Sequence, residues 1–328
     1  MSTFASAFQT PRPAVALIGA GAMGRALGLR LAESGYPVEA VISRTRRSAE
    51  GLAQLLGAPI ASDHLSEVPD VPLVVLAVPD DQVADLADTL TAAPRPWQGA
   101  VVLHTSGARP ASLLEPLRQE GARTLSFHPL QTVTRDADAQ TLAGVTAGVE
   151  GEPRGVAAGI ELAAGLGMRY LVVSAEDKPR YHLAASMASN LLVTLMGMVQ
   201  EVLASIDIDR RAAMAILEPL LQGTLDNLTA TSPEEALTGP VARGDIGTLR
   251  AHGLALRKEL PHLVPAYAAL SVETVRLAVR AGTLPPGKAE DVLALMERMV
   301  TLPLPQSSSL KTPEPPRPPA PSRAGVAP

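Results

Sequence analysis

The chain has no cysteine, so disulfides, thiolate catalysis and cysteine-ligated metals are all excluded. Aromatic residues make up only 2% of its 328 residues, and the core must therefore be aliphatic. A net charge of −5 without a basic stripe argues against nucleic acid as the main partner. The sequence lacks an uninterrupted apolar run of about 18 residues and the layout of a signal peptide. We therefore expect a cytoplasmic protein with no membrane partner, and we predict no metal site.

Apolar residues make up 46% of the chain, which is long enough for two domains. Its first half alternates short β-rich apolar runs with helical stretches, a pattern typical of βα units around a mostly parallel sheet. The predicted strands cover 15–18, 38–42, 73–78, 100–104, 124–127, 145–149 and 170–173. This pattern predicts an α/β doubly wound domain over residues 14–174.

The pattern after Ser174 is helical, which predicts an all-α domain over residues 175–302. Predicted helices cover 182–206, 211–225, 246–260, 265–282 and 288–299. We interpret residues 1–13 as a flexible arm and the Pro-rich residues 303–328 as a disordered tail.

The most informative motif is a G-x-G-x-x-G turn that follows the first strand and opens a helix. Its glycines are Gly19, Gly21 and Gly24, with Ala22 and Met23 at the helix start. Such a turn lets the backbone approach a dinucleotide pyrophosphate, and the helix N-terminus offers free N–H groups to the anion. A structural turn without a ligand is the alternative, but the flanking strand and helix favour dinucleotide binding.

The end of the second strand distinguishes NADP from NAD. An Asp or Glu at this point normally binds the ribose hydroxyl of NAD. This chain instead has a hydroxyl- and guanidinium-rich run: Ser43, Arg44, Thr45, Arg46 and Arg47. Guanidinium groups suit a 2′-phosphate, so the run predicts NADP rather than NAD, although a solvated basic turn would look similar.

Further candidate residues follow the next three predicted strands, where open α/β sheets bind ligands. Val78 and Pro79 end one strand beside the expected cofactor crevice, and His104 and Thr105 end the next. His128 ends the third. Each histidine has two interpretations, contact with substrate or nicotinamide and a hydrogen bond within a structural turn.

The first long helix carries a polar row on an otherwise apolar surface. His182, Ser186 and Asn190 are spaced i, i+4 and i+8, which places them on one helix face beside Ser189. Asp177 and Pro179 are suited to the helix start. Since buried polar groups need partners, the row predicts either a ligand pocket or an interhelical hydrogen-bond network.

A second constellation, Thr238 to Asp245, forms a shaped turn ahead of another helix. Asp245 is placed to cap that helix, Thr248 lies at the capping-box distance, and His252 follows. Arg243 could bind a substrate carboxylate or simply be exposed to solvent.

The order of motifs GAGAMG, VISRT, LAVPDD, HTSGA, SFHPLQT, YHLAASMASN and TGPVARGD resembles a bacterial Rossmann-like family with a helical C-terminal domain of unknown function. Proteins of that family are often described as similar to deazaflavin-dependent NADP oxidoreductases. More distantly, the layout is similar to pyrroline-5-carboxylate reductase, ketopantoate reductase and hydroxyacid dehydrogenases related to 6-phosphogluconate dehydrogenase. The resemblance implies a Rossmann domain and an all-helical domain that often dimerises.

The catalytic lysine of the hydroxyacid dehydrogenases is not carried over, because the corresponding helix face presents His182, Ser186 and Asn190. Lys178 lies one turn earlier, at the expected helix mouth. We therefore predict an NADP-dependent oxidoreductase that moves hydride between nicotinamide and a C=O or C=N group of a small, anionic metabolite. His182 is the preferred acid/base with His252 as alternative, and Ser186 and Asn190 hold the substrate. Two other hypotheses remain: a non-catalytic NADP sensor, and an NADP:deazaflavin oxidoreductase.

Overall fold

The computed structural model describes residues 11–301, which fold into two compact units that divide between Leu192 and Val193. The predicted flexible arm falls mostly outside the described residues, and the predicted tail falls wholly outside them. The proposed domain boundary at 174/175 stays a prediction.

The first unit is built on one eight-stranded sheet with the spatial order β3-β2-β1-β4-β5-β6-β7-β8. The strands are β1 Val15–Ile18, β2 Val38–Ile42, β3 Ile60–Ser62, β4 Leu73–Leu76, β5 Val101–His104, β6 Arg123–Pro129, β7 Thr146–Gly151 and β8 Arg169–Val172. All neighbours pair in parallel except β6 and β7, which are antiparallel. This arrangement confirms the predicted α/β fold class.

Six helices belong wholly to this unit: α1 Ala22–Glu33, α2 Arg46–Leu56, α3 Val83–Thr91, α4 Glu115–Gln119, α5 Pro153–Gly165 and α6 Lys178–Ser186. Helices α1, α2 and α5 pack on one sheet face, and α3 and α4 pack on the other. Alternate residues of β1 point to opposite faces, with Leu17 in one core and Ile18 in the other. The central strands are buried on both sides, which explains why they are apolar throughout.

The helix that begins at Lys178 continues through a π-helical turn at Met187–Leu191 into α7, Leu192–Ala204. The remaining helices are α8 Arg210–Ala230, α9 Pro233–Ala236, α10 Pro240–Arg243, α11 Ile246–Glu259, α12 Val264–Arg280 and α13 Pro286–Thr301. Residues of α10 to α13 enclose the core of the second unit, with Leu249 and Val292 fully buried. Helices therefore make up the second unit, as the sequence predicts.

The helix Lys178–Ala204 is long and apolar enough to cross a membrane by length and composition alone. The search for an uninterrupted apolar run did not find this helix, because polar side chains such as His182 and Asn190 interrupt it. Its mean hydropathy nevertheless stays high. Helices of soluble proteins also satisfy this test, so it is weak support for a membrane span.

Candidate cofactor and substrate site

The glycine turn between β1 and α1 has the geometry that a dinucleotide phosphate needs. Gly19 adopts φ +110°, and a Cβ there would overlap the carbonyl oxygen of Ala77. A Cβ at Gly24 would overlap the Gly19 carbonyl, so both glycines are required by the fold. A Cβ at Gly21 would meet nothing within 4 Å. The space above Gly21 is therefore open, as a bound pyrophosphate requires.

The helix that follows this turn begins without a side-chain cap. Gly21 is the N-cap residue of the 12-residue helix α1, and a glycine has no side chain that could accept a hydrogen bond from the first N–H groups. Ala22 and Met23 occupy the first turn, where those N–H groups point toward the open space. An anion at this position would satisfy them and interact favourably with the helix dipole.

The run after β2 presents exposed cations at the start of a second helix. Arg44, Arg46 and Arg47 are all exposed. Arg46 pairs with Glu50 at 3.2 Å, whereas no ion pair involves Arg44 among the described residues. The Thr45 hydroxyl already has a structural role, because it caps α2 by accepting a hydrogen bond from the Ser48 N–H. The guanidinium groups remain suited to a phosphate monoester at this edge.

Val78 and Pro79 continue from β4 beside the glycine turn. A Cβ at Gly19 would lie 3.1 Å from the Val78 side chain, so this residue borders the turn directly. Pro79 is exposed and precedes a short 3₁₀ turn at Asp80–Gln82. The Asp80 carboxylate follows it at the same sheet edge.

The turn after β5, residues Thr105–Pro110, is held in part by the side chains of His104 and Ser106. His104 is fully buried, and its Nδ1 accepts a hydrogen bond from the Ser106 N–H at 3.2 Å. Its Nε2 therefore carries the proton and donates to the Pro110 carbonyl at 3.2 Å. The Arg109 N–H donates to the Ser106 hydroxyl at 3.0 Å. His104 thus supports the turn from inside, which is the structural alternative that the sequence left open, whereas Thr105 is half-buried.

Lys178 is the first residue of α6, as expected, and it is buried, with only 2% of its surface exposed. Its ammonium group donates to the Ser126 hydroxyl at 2.7 Å and to the Ser106 carbonyl at 3.2 Å. Burial lowers the pKa of Lys178 to about 8, while the Glu150 and Asp80 carboxylates act in the opposite direction. The sequence did not predict this burial, because the partners of Lys178 lie 52 and 72 residues earlier in the chain.

Two further side chains of α6 lie over the ends of β5 and β6. The Tyr181 hydroxyl and the His128 Nδ1 form a hydrogen bond of 3.0 Å, and the His128 and His182 rings lie 6.0 Å apart. The two histidine rings can lie this close to the turn only because residue 107 is glycine: a Cβ there would lie 2.6 Å from the His182 ring and 2.8 Å from the His128 ring. His182 is half-buried, so its ring is partly accessible at this edge.

The two strand-end histidines are uncharged at neutral pH. Burial and then the nearby Lys178 cation lower the pKa of both His104 and His128 to about 4. His182 also disfavours the charged form of His128, whereas Asp80 favours it. His128 is therefore available as a neutral hydrogen-bonding group rather than as a cation.

The predicted polar row is only partly retained. A π turn closes i→i+5 hydrogen bonds, so Asn190 is displaced from the i, i+4, i+8 row that an uninterrupted α-helix would give with His182 and Ser186. Ser189, beside the row, forms a 2.7 Å hydroxyl–hydroxyl bond with Thr132 in the loop after β6. The assumption of a constant 3.6-residue period produced this error.

His252 belongs to the second unit, on α11. It is exposed, and its Nδ1 forms a 2.9 Å hydrogen bond with the Tyr267 hydroxyl. Asp245 caps α11 by accepting a hydrogen bond from the Thr248 N–H at 3.1 Å, as predicted. His252 therefore belongs to a different unit from the His128–Tyr181–His182 cluster.

Sequence reasoning therefore missed Lys178 and Tyr181. Spacing could have found Tyr181, which lies at i+3 from Lys178 and next to His182.

Among residues 11–301 no group of three His, Asp or Glu residues is arranged to hold a metal ion.

Comparisons with known protein families divide the chain into two matches. Residues 2–129 match a Rossmann-like domain, and residues 145–274 match the Domain of unknown function (DUF2520). These matches confirm the resemblance drawn from the motifs. No curated protein matches the sequence.

Solved structures extend the likeness over most of the chain. A "putative NADP oxidoreductase" from Bacteroides fragilis is 25% identical, with a TM-score of 0.69 over 80% of this chain and 98% of that one. An imine reductase from Myxococcus stipitatus in complex with NADP+ is 21% identical, with a TM-score of 0.52 over 88% of this chain and 94% of that one. A pyrroline-5-carboxylate reductase from Coxiella burnetii is 17% identical, with a TM-score of 0.53 over 85% of this chain and 97% of that one. The last two structures are similar to this chain in fold.

The glycine geometry predicts opposite defects for two similar substitutions. Gly21→Ala adds a methyl group to open space, so we expect normal stability but NADPH binding weakened by about tenfold or more, because the methyl occupies the pyrophosphate position. Gly24→Ala forces the backbone apart and should lower the unfolding free energy by about 2 kcal/mol or more. Urea unfolding and fluorescence titration with NADPH measure the two effects. Equal NADPH affinity for Gly21→Ala and wild type would contradict this assignment.

Proposed function

We propose that the protein is an NADP-dependent oxidoreductase that reduces or forms a C=O or C=N group on a small, anionic metabolite. The observation that carries the proposal is the shared sheet edge: the open glycine turn follows β1, and the His128–Tyr181–His182 cluster lies at the carboxyl end of β6 in the same sheet. The Bacteroides fragilis oxidoreductase, which is similar along most of its length, supports the general class.

The residues proposed to bind NADP fall into three groups, one for each part of the cofactor. Gly19, Gly21 and Gly24 with the first turn of α1 would hold the pyrophosphate, and Ser43, Arg44 and Arg46 would hold the 2′-phosphate. Val78, Pro79 and Thr105 would border the nicotinamide half. Bound NADPH would supply the hydride for reduction.

The chain must supply a proton when a carbonyl or imine accepts hydride. We assign this role to His182, because an imidazole ring can act as a proton donor and this ring is partly accessible beside Gly107. In the reduction, the substrate carbon gains the hydride and its oxygen or nitrogen gains the His182 proton. Ser186 and Asn190 would orient the polar groups of the substrate, and His252 stays the alternative acid/base.

The partner proposed for the second unit is another copy of this chain. The most apolar window of the helix Lys178–Ala204 is entirely unburied, and α8 exposes Ile216, Leu220 and Leu225. Apolar surfaces of this extent are typical of interfaces. Glu201 is the only charged residue of α7, so two copies of this surface can face each other with little like-charge repulsion. We therefore propose a cytoplasmic homodimer assembled through α7 and α8.

Replacement of His182 tests the catalytic assignment. His182→Gln keeps a polar side chain but cannot exchange a proton, so we expect kcat to fall by about 10²-fold or more while the Kd for NADPH changes little. A screen of keto acids and imines, followed by loss of NADPH absorbance, supplies the assay. His262→Gln, which alters an exposed histidine paired with Glu201, serves as the control. Unchanged turnover in His182→Gln would refute the role, and wild-type NADPH binding without any turnover would favour the sensor.

Charge placed on α8 tests the dimer. Ile216→Glu with Leu220→Glu should convert a species of twice the 34.1 kDa chain mass into a monomer, because carboxylates cannot be buried unpaired in an apolar interface. Light scattering after size-exclusion chromatography measures the mass. Leu55→Glu, at an equally exposed position of α2, should leave the dimer intact. A monomeric wild-type protein at micromolar concentration would contradict the proposal.

A further inference from the structure

The turn Thr105–Pro110 is fixed from several elements at once. The Ser106 carbonyl accepts hydrogen bonds from the Ser126 hydroxyl on β6 at 2.9 Å and from the Lys178 ammonium on α6 at 3.2 Å. Just after the turn, the Ala111 N–H donates to the buried Glu150 carboxylate on β7 at 2.7 Å. The turn that carries Gly107 is therefore tied to β6, β7 and α6.

Lys178 is the contact that joins this turn to α6. Its ammonium reaches both Ser106, 72 residues earlier, and Ser126, 52 residues earlier. Tyr181 and His182 follow Lys178 by one helical turn, so they lie on the same side of α6. Their rings pack against Gly148 and Gly107, where a Cβ would lie 2.5 Å from the Tyr181 hydroxyl and 2.6 Å from His182. Small displacements of α6 would therefore move both rings off their glycines.

We infer that Lys178 is a positioning residue of the proposed active site: it locks α6 onto the turn Thr105–Pro110 and thereby holds Tyr181 and His182 in register over Gly107 and His128. The inference rests on the proposed function, since it assigns a role relative to His182. Lys178 is buried, so it acts on the site through Tyr181 and His182 and not by contact with the substrate.

The charge of Lys178 has a second effect on the same cluster. The groups that act on His128 are Lys178, Tyr181 and His182 from α6 and Asp80 after β4. After burial, the Lys178 cation contributes most to lowering the pKa of His128. A positive charge disfavours protonation, so its removal raises that pKa, and His128 becomes charged at a higher pH.

The test compares variants that separate the mechanical effect from the electrostatic effect. Lys178→Met removes the hydrogen bonds and the charge. Ser126→Ala removes one acceptor of Lys178 together with the hydrogen bond from the Ser126 hydroxyl to the Ser106 carbonyl, and it keeps the charge. Arg180→Met removes a cation from the exposed side of the same helix, where Arg180 pairs with Asp177, and is the matched control.

Histidine NMR titration and amide hydrogen exchange provide readouts that do not need turnover. In Lys178→Met we expect the pKa of His128 to rise measurably from about 4 and the amides of Gly107 to Arg109 to exchange about tenfold faster. Ser126→Ala should speed hydrogen exchange at the same amides and leave the pKa of His128 unchanged. Arg180→Met should change neither quantity.

Turnover supplies the second readout. With the substrate found by the carbonyl and imine screen, Lys178→Met should lose about 10²-fold in kcat with an unchanged Kd for NADPH, because misplacement of the acid affects chemistry and not cofactor binding. Absence of turnover in the wild type would refute the proposed function. It would not decide the positioning role, because amide hydrogen exchange and the His128 titration can still be measured. Wild-type exchange rates and His128 titration in Lys178→Met would overturn the positioning role. If Lys178→Met does not fold, wild-type exchange rates in Ser126→Ala would overturn it.

Discussion

The buried ammonium of Lys178, shared between the Ser106 carbonyl and the Ser126 hydroxyl, is the interaction on which the arrangement of the candidate site depends. A buried cation must be satisfied by several polar partners, because an unpaired one is expensive to remove from water. Those partners lie in the turn after β5 and on the neighbouring strand β6, so satisfying the charge also fixes where α6 begins. The position of the rings that follow Lys178 is a consequence of that constraint.

The same sheet edge combines two kinds of surface. On β1 and β2, close backbone approach and exposed arginines leave open space suited to phosphate groups. At the ends of β5 and β6, Gly107 and the neutral His128 pack against Tyr181 and His182 of α6. A cofactor that spans such an edge would place its phosphates at one end and its reactive ring toward the other.

The sequence predicted those features that depend on local chemistry. The glycine turn and β1 follow from the spacing and apolarity of residues 15–24, and capping by Asp245 follows from a short-range rule. The strand Ile60–Ser62 was missed because three residues are too few to show a period. Burial of Lys178 could not be predicted, since its partners are 52 and 72 residues away. The π turn was missed because helical pattern analysis assumes one constant period.

The central claim is that this sheet edge binds NADP, and calorimetric titration of the purified wild-type protein with NADPH and NADH tests it most directly. We predict saturable 1:1 binding of NADPH per chain and binding of NADH weaker by about tenfold or more, because only NADPH carries the 2′-phosphate that Arg44 and Arg46 would hold. Failure to bind either dinucleotide at millimolar concentration would contradict the account, and tighter binding of NADH would contradict its assignment of the arginines.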